Sequence, residues 1–134
     1  MPYIVVFRKR VDIADPDLYI NPCCIGGDVV LDQLLPMLEA DYGDVEAGQE
    51  DWGWFAWFGV DKVKLAVDIY ANDPETGEFQ ILLTSRTPRF LLGDNIEDTP
   101  ALEAVREAVA KKLEAWDVEA LTVERVDEDY APLA

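Results

Sequence analysis

The stretch from Trp52 to Arg86 limits the fold more than any other part of this chain. Trp52-Gly53-Trp54-Phe55-Ala56-Trp57-Phe58 is a short apolar run without charge, the pattern of a strand covered on both faces. Val63, Leu65, Val67 and Ile69 then alternate with Lys64, Ala66, Asp68 and Tyr70, the period of a half-buried strand. Asn72-Asp73-Pro74-Glu75-Thr76-Gly77 is turn chemistry, and Phe79, Ile81 and Leu83 resume the alternation. Trp52 to Arg86 therefore reads as a three-stranded antiparallel meander.

Helices and further strands flank it. Tyr3 to Arg10 is rich in β-formers and reads as a strand, followed by a loop with Asp15-Pro16 and Asn21-Pro22. Gly26-Gly27-Asp28 offers an N-cap, and Leu31, Leu34, Leu35 and Leu38 form an apolar stripe ending at Gly43. Pro36 inside that stripe predicts a kink or break near Leu35. Asp44 to Asp51 reads as an acidic loop, and Pro88 to Asp98 as a second loop. Thr99-Pro100 starts a helix whose face is Leu102, Val105, Val109, Leu113 and Trp116, and Val118 to Val126 supplies the last strand.

The order β-α-β-β-β-α-β implies one α+β domain over residues 1–134: a single, mainly antiparallel five-stranded sheet with two helices on one face. Half of the 134 residues are apolar, enough for a real core. The even phase of the aromatic strand (Trp52, Trp54, Ala56, Phe58) is expected on the helix side. Phe55 and Trp57 then lie on the open face, to be covered by the Phe90-Leu91-Leu92 loop, a second subunit or a partner.

Charge narrows the function. From Val11 to Asp61 there are twelve carboxylates and no Lys or Arg, and the whole chain carries a formal charge of −17. Single-sign surface attracts basic partners and repels nucleic acid and anionic membrane. The only basic cluster, Arg8-Lys9-Arg10, reads as a set of partners for the protein's own acids. No apolar run approaches the ~20 residues of a membrane span, and Met1-Pro2-Tyr3-Ile4 does not resemble a secretory signal, so a cytoplasmic location is expected.

Chemistry-bearing motifs are sparse. There is no His, the usual base and metal ligand, and the adjacent Cys23 and Cys24 form neither a zinc set nor a Cys-x-x-Cys pair. They read as reduced thiols in a packed turn, although the following helix start would favour thiolate chemistry. Asp12, Asp15 and Asp17 lack the glycine and distant glutamate of a calcium loop. No cofactor and no dedicated metal are expected. Glu50-Asp51 beside Trp52 is the best carboxylate pair for hydrolysis or sugar binding, but neighbours on a strand point to opposite faces.

The leading expectation is a non-catalytic acidic protein that captures a basic protein surface, in the manner of an immunity or inhibitor protein against a nuclease-like toxin. Asp41, Asp44, Glu46, Glu50 and Asp51 would steer and pair, with Trp52 and Trp57 as aromatic anchors. The alternatives are a small carboxylate-dependent hydrolase or carbohydrate-binding protein using Glu50, Asp51 and the tryptophans, and a homodimeric structural subunit joined through Phe55 and Trp57.

Overall fold

The computed structural model describes residues 1–13, 15–89, 93–127 and 129–131. Its elements are β1 (Tyr3–Arg8), α1 (Gly27–Tyr42), β2 (Glu46–Glu50), β3 (Gly53–Val60), β4 (Val63–Asp73), β5 (Glu78–Arg89), β6 (Gly93–Ile96), α2 (Pro100–Ala115) and β7 (Glu119–Arg125). Two short 3-10 turns, Pro16–Leu18 and Pro22–Cys24, precede α1. The strands form one antiparallel sheet in the order β2-β3-β4-β5-β1-β7, with β6 pairing the far half of β5.

The α+β class, the meander and both helices are present, but the sheet has seven strands rather than five. The extra two arise where loops were expected. Glu46-Ala47-Gly48-Gln49-Glu50 has little intrinsic strand preference, yet a two-residue turn at Asp51-Trp52 folds it back along β3. Gly93–Ile96 likewise returns along the part of β5 that β1 does not reach. Tertiary pairing overrides local propensity in both.

The core lies between the sheet and the two helices. Tyr3, Val5 and Phe7 of β1 meet Trp54, Ala56 and Phe58 of β3, Leu65, Val67 and Ile69 of β4, and Phe79, Ile81 and Leu83 of β5. Helix α1 adds Val30, Leu31, Leu34 and Leu38 over β3 and β4, and α2 adds Leu102, Val105, Val109 and Leu113 over β5 and β4. Each fully buried Leu or Phe contributes on the order of 2 kcal/mol by removal from water. Thr99 caps α2 as expected, its hydroxyl accepting from the Leu102 N–H at 3.1 Å.

One local expectation is corrected. Helix α1 runs through Pro36 without the break expected near Leu35. The carbonyl that Pro36 leaves without a donor belongs to Asp32, and both residues are exposed, where solvent makes a missing helix bond cheap. The N-cap of α1 is Gly26, left-handed at φ 83° and within the expected Gly26-Gly27-Asp28 start, while Asp28 accepts from the Tyr19 hydroxyl at 2.7 Å. Phe90, Leu91 and Leu92 lie outside the described residues. Among the described residues, no helix is long and apolar enough to cross a membrane.

Candidate functional site

The sheet face away from the helices carries the candidate residues. Strand alternation and register define its rows: Glu46 opposite Trp57, then Ala66 and Thr84; Gly48 opposite Phe55, then Asp68, Leu82, Ile4 and Glu124. Trp57 is 39% exposed, and its ring stacks on Phe55 at 4.1 Å. The Trp57 indole N–H donates to Asp68 Oδ1 at 2.9 Å, which holds the ring in one orientation. Phe55 is buried under that ring and over Gly48, where a Cβ would meet it at 3.4 Å.

Asp68 is a half-buried carboxylate in the middle of this face. Burial pushes its pKa up, while the Trp57 hydrogen bond and the positive charge of Arg86 pull the other way. Tyr70, on the same face, has its hydroxyl pushed up to about 12 by burial, with Asp68 and Tyr130 adding to the shift. Beside Trp57 a cleft of about 350 Å³ is lined by Glu46, Lys64, Ala66, Thr84 and Arg86.

Trp52 is not where the alternation puts it. The Asp51-Trp52 turn breaks the phase, and the Trp52 ring packs on Tyr70 at 5.2 Å, on the open face and not under the helices. The turn is tight because Gly53 lies against β4: a Cβ there would sit 2.2 Å from the Ile69 carbonyl oxygen.

The expected acids fall into two groups at the ends of β2. Glu46 stands opposite Trp57, with Asp41 and Asp44 preceding it at and just past the end of α1; Glu50 and Asp51 lie by Trp52 at the other end, about 13 Å along the strand. All five are exposed, and among the described residues none of their side chains forms an ion pair. The acidic segment before α1 is bound to this edge. Gln49 donates to the Leu18 carbonyl and accepts from the Ile20 N–H, both at 2.9 Å, and Asn21 donates to the Asp51 carbonyl at 2.5 Å. Asp15, Asp17, Asp28 and β2 thus share one side of the molecule.

Both thiols serve this junction. Cys23 Sγ donates to the Asp51 carbonyl and Cys24 Sγ to that of Glu50, each at 3.2 Å, and Cys24 is buried, which raises its pKa. Trp54 completes it, its indole N–H donating to the Cys24 carbonyl at 2.8 Å. Among the described residues, no group of three or more acidic, Cys or His side chains is placed to hold a metal.

Most bases lie elsewhere. Lys9 donates to the Trp116 carbonyl at 2.8 Å and sits over that ring, while Arg8 faces Glu78 and Glu119 across its two neighbouring strands. Arg8 and Arg10 line a cleft of about 400 Å³ with Asp117 and Glu119. Arg125 pairs with Asp98 and Glu103 and lies over the Tyr3 ring at 4.7 Å, and Arg106 pairs with Glu103 and Glu107. Comparison with protein-family models, curated proteins and solved structures finds no match.

Sequence reasoning missed Asp68, Tyr70 and Gln49. The first two were visible as the polar phase of the Val63–Tyr70 alternation, which says they share a face but not that Trp57 and Trp52 lean on them. For Gln49 no local signal exists.

Proposed function

We propose that the chain is a non-catalytic binding protein that captures a basic protein surface through the β2 side of its open face, as an immunity or inhibitor protein does. One observation carries this reading: Trp57, exposed yet fixed by Phe55 and Asp68, stands directly across the strand pair from Glu46. A rigid aromatic costs little entropy on binding, and the acids of α1 and β2 draw cations to it. Exposed and, among the described residues, without ion pairs, those acids can meet a partner's arginines and lysines.

The test is capture of a basic protein by the immobilised chain at low and high salt. Retention is expected at low salt and release at high salt, because screening removes the attraction. Replacing Asp44→Asn, Glu46→Gln and Glu50→Gln together should abolish the salt-sensitive part. Trp57→Ala should weaken binding about 30-fold while leaving the salt slope intact. Retention indifferent to both salt and the triple variant would refute the reading.

A second reading, a carbohydrate-binding or carboxylate-dependent protein, draws support from the raised pKa of Asp68 beside the Trp57 cleft. It moves the chemistry from Glu50 and Asp51 to Asp68. Saturable, salt-insensitive quenching of Trp57 fluorescence by neutral oligosaccharides would select it.

A further inference from the structure

β7 is an anomaly. Among the described residues its one strand partner is β1, and Thr122, Val123 and Glu124 are all exposed. Val123, on the helix side, is 39% exposed because the helices pack mainly over β3, β4 and β5, while α2 meets β7 at Arg125 through Glu103. An edge strand whose middle is open on both faces offers a row of unpaired main-chain donors and acceptors to another chain.

Which groups it offers follows from the ladder. Val126 N–H donates inward to the Pro2 carbonyl, so the even residues face β1 and the odd ones, Leu121, Val123 and Arg125, present N–H and C=O outward. The bulge at Ala120, with φ 53°, ends the regular edge there and leaves Leu121 to Arg125 straight.

We propose that two copies of the chain join these segments antiparallel, with the two-fold axis at Val123. In that register Val123 meets its own copy, Leu121 faces the partner's Arg125, and Thr122 faces the partner's Glu124. Within Leu121–Arg125 no like charges oppose each other, and about six main-chain hydrogen bonds form. The same operation on β2, centred on Gly48, would set Glu46 against Glu50 twice, so β2 rejects a copy of itself.

Charge placement favours the same edge. β7 and β2 are the two ends of the six-strand path, about 24 Å apart. Joining two chains of −17 at β7 leaves their acidic β2 edges outermost, about 50 Å apart and far beyond a screening length of about 8 Å. The proposed partner surface at β2 stays free in both copies.

Sedimentation over a wide concentration range should give a reversible monomer–dimer equilibrium. Val123→Pro should yield a monomer with unchanged far-UV circular dichroism, because the N–H it deletes points away from β1. Val123→Lys should weaken the dimer by at least about tenfold and decides the matter if the proline variant does not fold. Amides of Leu121, Val123 and Arg125 should exchange more slowly as concentration rises. A chain that stays monomeric, or a dimer that survives both variants, overturns the proposal, as does a dimer that only Trp57→Ala dissolves.

Discussion

The two edges of the sheet solve one problem in opposite ways. β2 is five residues long with a carboxylate at each end, and the preceding segment holds it: its own Gln49 bonds the main chain of Leu18 and Ile20, and Asn21, Cys23 and Cys24 donate to the Glu50 and Asp51 carbonyls. β7 is seven residues long with mixed charge, and an ionic cluster around Arg125 holds it instead. β2 repels its own image, while β7 does not. An edge guarded by like charge stays available for an oppositely charged partner, whereas an edge of mixed charge and exposed Val123 suits a second copy of itself.

The comparison breaks most severely at Gly53. Gly53→Ala forces a methyl into the Ile69 carbonyl, so β3 must move off β4 and carry β2 with it. A loss of about 2–4 kcal/mol in urea unfolding is expected. A loss below about 1 kcal/mol would mean that the turn yields and β2 is less firmly placed than its hydrogen bonds imply.

The β7 edge responds to pH. Arg125 donates to the Tyr3 hydroxyl at 2.9 Å and to Glu103 at 3.3 Å, and pairs with Asp98. Asp98 is held below the usual carboxylate range first by its bond from the N-terminal ammonium, and Glu103 first by its bond from Tyr3, with arginine charge adding to both. Depressed carboxyls contribute stability above their unfolded values of about 4, and that contribution is lost as pH falls through the lower folded-state values. Arg125→Ala should cost about 1–2 kcal/mol at neutral pH, and its gap to the parent should narrow in acid, as read from unfolding curves across pH.

The smallest effect sharpens the comparison at β2. Gln49→Ala removes two exposed hydrogen bonds and should cost about 0.5–1 kcal/mol. Its clearer signature is faster amide exchange at Ile20, with β7 amides unchanged. Acceleration at both edges would show that the sheet responds as one unit.

Much of the fold was legible because burial writes a period into strands and helices. Val63–Ile69, Phe79–Leu83 and Leu102–Leu113 all carried that signal, and Thr99-Pro100 marked a helix start to the residue. Pro36 did not break α1 because an exposed helix position tolerates a missing donor. Trp52 misled because alternation assumes a continuous strand, and the turn at Asp51-Trp52 interrupts it. Of the candidate site, Trp57 and Phe55 were placed on the open face by phase alone, but Asp68 behind the indole was not.

The residues in order determined the α+β class, the central meander, the helix-facing core and the concentration of negative charge before Asp61, since each depends on neighbours within a few positions. Only the tertiary structure decided that Glu46-Ala47-Gly48-Gln49-Glu50 and Gly93–Ile96 are strands and that β2 and β7 form opposite edges. It alone set Trp57 against Asp68. These are contacts between segments distant along the chain, created when main-chain donors and acceptors seek partners, and no local pattern encodes which partner they find.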